Sequence, residues 1–93
     1  MAKIDYKMLG EQIRYIRNQL HLSQEHLAEL CDISPSFMGH IERGTRKMSM
    51  ETFVSIADAL NVSTDYLLHY FYGRYLRTSI PQIQANKQQT ESL

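Results

Sequence analysis

One short stretch of this chain carries residues typical of a helix start at one end and of a helix stop at the other. This stretch constrains the fold more than any other feature. Ser34 and Pro35 are a capping serine followed by proline, which helices favour at their first position. Gly44 comes directly after Arg43, and glycine commonly ends a helix because it adopts a left-handed backbone without strain. The sequence therefore predicts a helix over residues 34–43.

One face of this predicted helix is too polar to pack against a hydrophobic core. Met38 and Ile41 share the face that we expect to point inward. The other face carries small and polar residues, namely Pro35, Ser36, Gly39 and His40. A short helix with such a face packs poorly against a core on that side, so the face is available to contact another molecule.

Four further helices are predicted from apolar residues at helical spacing. They cover about 6–20, about 24–31, and the segments that follow Ser49 and Ser63, the last of which continues to about Tyr72. Candidate N-caps precede them, because a short polar side chain can accept from a free backbone N–H of the first turn. These caps are Asp5, Ser23, Ser49 and Ser63. No strand pattern is visible, so the predicted fold class is all-α.

The second and third predicted helices, joined by Asp32, Ile33 and Ser34, make a helix-turn-helix motif. Asp32 stands where a helix end favours a left-handed residue. The first helix of such a motif braces against the DNA backbone, and the second is narrow enough for a major groove about 12 Å wide. Small residues at the start of the second helix let it approach base edges closely.

The overall charge does not indicate DNA binding, because ten basic and ten acidic residues cancel and nucleic-acid binders usually carry a basic surface. The distribution of charge is uneven, however. Arg43, Arg46 and Lys47 fall within five residues that contain no acid, and Arg14 and Arg17 lie one helical turn apart. Screening removes distant charges within about 8 to 10 Å, so local cations decide phosphate attraction.

Several runs of the chain together resemble the phage-repressor and Cro-like family, also called the XRE family. They extend from Leu22 to Leu30, from Ile33 to Gly44 and from Ser49 to Ser63. With Ile13 to Arg17 they cover about two-thirds of the chain. The resemblance implies a five-helix repressor-like domain with a short C-terminal extension. It also implies sequence-specific binding of double-stranded DNA for transcriptional regulation, with repression the expected direction.

The resemblance implies a set of DNA-contacting residues as well. A glutamine at the start of helix 2 would touch a phosphate, the outer face of helix 3 would approach bases, and the turn after it would contact phosphates. These candidates are Gln24, Ser34, Pro35, Ser36, Phe37, Gly39, His40, Arg43, Thr45, Arg46 and Lys47. Because Pro35 and Gly39 offer no side-chain hydrogen bond, we expect Ser36 and His40 to read bases.

Two more positions are informative in the light of this resemblance. Arg17 and Glu42 match a pair that often forms an internal ion pair, so we expect a structural role for them. Met48 stands where the family usually has proline, so we expect the entry to helix 4 to differ from that of the family.

The C-terminal part of the chain suggests an interface. The predicted domain covers residues 6–72, and residues 73–93 form an extension that is first aromatic and then polar and mobile. The aromatic residues between Tyr66 and Tyr75 point around most of the circumference of helix 5, more than a small domain can bury, and exposed aromatic patches are usually interfaces. The expected homodimer interface comprises Tyr66, Tyr70, Phe71, Tyr72 and Tyr75. Packing of this segment on its own domain stays open as an alternative.

Other classes of function find little support in the sequence. No apolar run could span a bilayer, no secretion signal is visible, and a single cysteine forms no intramolecular disulfide, so we expect a cytoplasmic protein without a membrane partner. We expect no enzyme activity, no metal and no cofactor, and a core position for Cys31. The alternative function is a helix-turn-helix module that binds a toxin or another regulatory protein, which the neutral charge and the aromatic segment favour.

Overall fold

The computed structural model describes residues 3–68, and this part of the chain contains five α-helices. They are α1 (Tyr6–Gln19), α2 (Gln24–Leu30), α3 (Pro35–Arg43), α4 (Met50–Ala59) and α5 (Thr64–Leu67). No strand occurs among these residues, and the predicted all-α class is confirmed. The continuation of helix 5 to about Tyr72 and the domain boundary after residue 72 lie outside the described residues.

Each helix is preceded by an N-cap residue whose side chain accepts a hydrogen bond from the backbone amide three residues later. Asp5 Oδ1 accepts from the amide of Met8 at 3.0 Å. Serine hydroxyls do the same at the other four helices, at 3.0–3.1 Å, and these residues are Ser23, Ser34, Ser49 and Ser63. An N-cap of this kind contributes about 1 kcal/mol. The starts of the helices are therefore fixed by local sequence.

Each of four helices is followed by a residue in the left-handed backbone conformation, which turns the chain sharply. Asp32 has a φ of 56° after α2, and Gly44 has a φ of 73° after α3. His21 and Asn61 adopt the same conformation after α1 and α4, each with a φ of 58°. Such a residue allows its amide and the next one to bond carbonyls of the last helical turn. Consecutive helices can then pack against one another across short connections.

The core lies between all five helices, with α3 packed against both α1 and α2. Helix α4 packs on α2 and α5, and α5 also reaches α1. The buried apolar residues are Leu9, Ile13, Ile16, Leu27, Ala28, Cys31, Met38, Ile41, Ile56, Ala57, Leu60 and Leu67. Met50, the first residue of α4, is 71% exposed. Met48 packs on the core instead.

Helices α1 and α3 approach so closely that their backbones nearly touch. A Cβ atom added to Gly10 would lie 2.3 Å from the Ile41 carbonyl oxygen and 2.6 Å from that of Glu42. A Cβ atom on Gly44 would lie 2.5 Å from Lys7 Cα. Nothing in the local sequence marks Gly10 as a close approach. These two glycines hold α3 and the loop after it directly against the backbone of α1.

Candidate nucleic-acid interface

The outer face of α3 begins with exposed polar residues. Ser34, Pro35 and Ser36 are all exposed, and the Ser34 hydroxyl is occupied as the N-cap. Two other candidates are less exposed than these three residues. Phe37 is only partly exposed because it packs against the core, and Gly39 is buried. Ser36 therefore remains the first side chain of α3 that is free to approach a base edge among the described residues.

An ion pair joins α1 to α3 beneath this face. Arg17 Nε donates to Glu42 Oε2 at 2.7 Å, and Arg17 Nη2 donates to Glu42 Oε1 at 3.0 Å. Arg17 Nη1 donates to the Leu22 carbonyl oxygen at 2.8 Å. The side chains of Arg17 and Glu42 are 10% and 2% exposed. Arg17 and Glu42, the pair that the resemblance implies, are thus in direct contact. The guanidinium also donates a hydrogen bond to the loop between α1 and α2.

Gln24 takes part in the same network. Its Nε2 donates to Glu42 Oε1 at 3.1 Å, so the Glu42 carboxylate accepts three hydrogen bonds. The family resemblance implies that this glutamine touches a DNA phosphate, which stays a prediction. In the structure its amide is partly buried and turned toward α3, with the second Nε2 hydrogen left for another acceptor. The glutamine therefore links the start of α2 to the carboxylate that holds α3.

Two side chains cover Gly39, which explains why this glycine is buried. A Cβ atom on Gly39 would lie 3.0 Å from Arg43 Nη1 and 3.4 Å from Gln24 Oε1. Arg43 is exposed, but its guanidinium lies back over the middle of α3 and not toward the loop that follows. The resemblance had assigned Arg43 to the phosphate-contacting turn. Its position in the structure places a cation on the outer face of the helix itself.

His40 and Thr45 are joined across the end of α3. His40 Nδ1 lies 2.8 Å from Thr45 Oγ1, and Thr45 Oγ1 donates to the His40 carbonyl oxygen at 3.2 Å. The Thr45 amide donates to the same carbonyl at 3.0 Å. His40 is half-buried, and among residues 3–68 no hydrogen bond to its Nε2 occurs. The imidazole is thus in contact with Thr45 through Nδ1, whereas no described residue bonds to its Nε2.

The loop after α3 presents two exposed cations, Arg46 and Lys47. Lys47 Nζ lies 5.8 Å from the centroid of the Tyr6 ring, within the range of a cation–π contact. This contact holds the side chain against the start of α1. The loop after α3 thus adds two exposed cations to the Arg43 guanidinium on the helix itself, although the charge of the whole chain is balanced.

A shallow apolar groove lies on another side of the described domain. It is about 480 Å³ in volume, and residues of α1 and of the segment leading into α5 line it. Tyr15, Leu20 and Tyr66 are among these lining residues, and they are 60%, 47% and 50% exposed. Tyr66 belongs to the predicted dimer interface, whereas Tyr70, Phe71, Tyr72 and Tyr75 lie outside the described residues.

Other kinds of site are not apparent in residues 3–68. No group of metal-ligating side chains there could hold an ion, and none of the helices described is long and apolar enough to cross a membrane. Cys31 is buried, and burial raises the pKa of its thiol. A thiol that stays protonated is a poor nucleophile, which agrees with a packing role for this residue.

Comparison with known proteins identifies the family. The model of the helix-turn-helix family HTH_3 matches residues 13–67. Control protein C.SmaI of Serratia marcescens is 39% identical over 62 residues, which cover 67% of this chain and 74% of that protein. The restriction-modification controller protein C.AhdI from Aeromonas hydrophila has a similar structure, with 35% identity, a TM-score of 0.66 and coverage of 68% of this chain and 96% of that one.

A third similar protein has been solved with DNA bound. The P22 c2 repressor in complex with a synthetic operator is 30% identical, with a TM-score of 0.61, and the match covers 63% of this chain and 89% of that one. The range 13–67 matched by the family model contains Arg17, Glu42 and the whole of α3. The chain therefore belongs to the helix-turn-helix family of DNA-binding transcriptional regulators.

Proposed function

We propose that this protein is a homodimeric repressor that inserts α3 into the major groove of operator DNA, in the manner of a restriction-modification controller. Its role is regulatory and not catalytic, and its target is duplex DNA in the cytoplasm. The observation that carries the proposal is the division of α3 into two faces. Met38 and Ile41 are buried, whereas Ser36 on the opposite side is exposed and His40 keeps one ring nitrogen open.

The comparison with controller proteins supports the more specific part of this proposal. Both C.SmaI and C.AhdI are controllers by name, and the match covers most of each of them. A controller of a restriction-modification system needs no catalytic or ligand-sensing domain if it acts through DNA binding alone. The described part of this chain is likewise one small helical domain.

Selection of bound sequences from a random duplex library tests the function directly. We expect a two-fold symmetric motif whose half-sites are one DNA turn apart, about 34 Å, because a dimer would place two copies of α3 in successive major grooves. Ser36→Ala should alter the preferred base at one position of each half-site, since base edges carry the sequence information. Failure to enrich any motif would refute sequence-specific binding.

Phosphate contacts should show in the salt dependence of binding. Removing one phosphate-contacting cation flattens the slope of log affinity against log salt by about 1 and weakens all sequences alike. We expect this result for Lys47→Gln, and a slope close to that of the unmodified protein for Lys47→Arg, which keeps the charge. Titration of a labelled duplex at several salt concentrations measures it. Equal slopes for Lys47→Gln and the unmodified protein would remove Lys47 from the interface.

The homodimer can be tested at the apolar groove. Tyr66 lines a groove with two other exposed apolar side chains, which supports pairing of two copies there. We expect Tyr66→Ser to shift light scattering at tens of micromolar toward the monomer and to weaken operator binding. Val54→Ser is the matched control, because Val54 is 49% exposed but does not line the groove. A monomeric unmodified protein would contradict this part of the proposal.

The alternative function, a module that binds a toxin or another regulatory protein, makes the opposite prediction about salt. An aromatic protein interface should tolerate rising salt, whereas DNA binding should weaken steeply as counterions compete for the phosphates. The exposed Tyr15, Leu20 and Tyr66 favour a protein partner on that side of the domain. Because the exposed face of α3 lies elsewhere, such a partner could bind without replacing DNA.

A further inference from the structure

The hydroxyl of Thr45 contacts both a ring nitrogen and the carbonyl oxygen of His40. A threonine hydroxyl has one hydrogen to donate and two lone pairs to accept with. The geometry allows that hydrogen to be donated to the His40 carbonyl oxygen, 3.2 Å away. The 2.8 Å contact between Thr45 Oγ1 and His40 Nδ1 is then a hydrogen bond only if Nδ1 donates to the hydroxyl. Both contacts are satisfied together when the proton of the neutral ring is on Nδ1.

A neutral imidazole with its hydrogen on Nδ1 has a lone pair on Nε2. No described residue of the domain bonds to that nitrogen, and His40 lies on α3 one turn after Ser36, at a position that the resemblance assigns to base contact. In the major groove, hydrogen-bond donors are the exocyclic amino groups of adenine and cytosine, whereas guanine and thymine present acceptors at the corresponding atoms. A lone pair on Nε2 can therefore accept from adenine N6 or cytosine N4.

We propose that Thr45 fixes the Nδ1–H tautomer of His40, so that His40 Nε2 acts as an acceptor and selects adenine or cytosine over guanine or thymine. His40 is the base-reading residue, and Thr45 is a positioning residue that acts through it. This inference deepens the proposed function and rests on it, since it names the base chemistry that the α3 face recognises. Guanine would place its O6 and N7 lone pairs against the Nε2 lone pair and be disfavoured.

The tautomer can be measured on the protein without DNA. Two-bond ¹H–¹⁵N correlation spectra of uniformly labelled protein, recorded at about pH 8 where an ordinary imidazole is neutral, distinguish the two tautomers. We expect the Nδ1–H pattern for His40, its retention in Thr45→Ser, which keeps the hydroxyl, and its loss or mixing in Thr45→Val. A merely structural role of Thr45 would not move this signature selectively. An Nε2–H pattern in the unmodified protein would overturn the proposal.

Base selection provides the second measurement. In the random-duplex selection at about pH 8, we expect one position per half-site to favour adenine or cytosine. His40→Lys, whose ammonium only donates, should change that position to guanine. Thr45→Val should reduce the preference over guanine and thymine by about five-fold, the effect of one hydrogen bond, and Thr45→Ser should retain it.

The outcomes separate this inference from the proposed function. If a symmetric motif is enriched but no position responds to His40→Lys, the inference is wrong and the proposed function stands. If the responding position favours guanine in the unmodified protein, the inference is equally wrong. If no sequence is enriched at all, the proposed function fails and base reading by His40 fails with it, whatever the tautomer.

Discussion

Glu42→Ala should lower the free energy of unfolding by about 3 to 5 kcal/mol, because it leaves the Arg17 guanidinium buried without its partner. Arg17 donates two hydrogen bonds to this carboxylate, and Gln24 loses its acceptor as well. Small domains have a total stability of only about 5 to 15 kcal/mol. The variant is therefore expected to unfold at a much lower urea concentration, as followed by circular dichroism.

Two comparisons make this expectation specific. Glu29→Ala, at an exposed position of α2, should change the urea midpoint little. The double change Arg17→Met with Glu42→Leu should recover much of the lost stability, since apolar residues of similar volume often replace a buried ion pair without loss. If Glu42→Ala and Glu29→Ala have the same midpoint, the pair does not stabilise the fold as we describe.

Gly10→Ala should also destabilise the domain, by about 1 to 3 kcal/mol, which is the usual cost of overpacking against a neighbour that cannot move away. The added Cβ atom would lie 2.3 Å and 2.6 Å from the carbonyl oxygens of Ile41 and Glu42. Both atoms belong to the backbone of α3, so the helices must separate to make room. A separation of α1 from α3 would also stretch the bonds between Arg17 and Glu42.

The same substitution at Gly39 is the matched control, because Gly39 also lies inside a helix. Its nearest neighbour would be Arg43 Nη1 at 3.0 Å, the end of a flexible side chain that can move away. Alanine favours a helix interior over glycine by about 1 kcal/mol, so Gly39→Ala should stabilise the domain slightly while moving Arg43. Urea unfolding of both variants measures the difference, and equal midpoints would contradict the close approach at Gly10.

The helices and the face of α3 could be predicted because their signals are local. Serine and aspartate caps mark each helix start, and the Ser34–Pro35 pair with Gly44 marks both ends of α3. Apolar spacing then assigned Met38 and Ile41 to the inside, where the structure has them. Each of these features depends on contacts within about one helical turn, which a sequence displays directly.

Features that depend on contacts between helices were missed or only partly anticipated. Gly10 carries no local signal, since its importance comes from carbonyl groups more than thirty residues away in sequence. The hydrogen bond from the Gln24 amide to Glu42 on α3 was not predicted, and the phosphate contact of Gln24 stays a prediction. The packing of Phe37 on the core was not predicted either, and its DNA contact stays a prediction. Knowing these positions from sequence would require the relative placement of α1, α2 and α3 in advance.

The division of α3 into two faces has a consequence for how such a regulator can evolve. Residues that hold the helix in place, Met38, Ile41 and Glu42, are buried, whereas Ser36 is exposed and contributes little to stability. Surface substitutions of that kind usually change stability by less than about 0.5 kcal/mol. A duplicated gene could therefore acquire a new operator by substitution at the outer positions, without first accumulating mutations that compensate for lost stability.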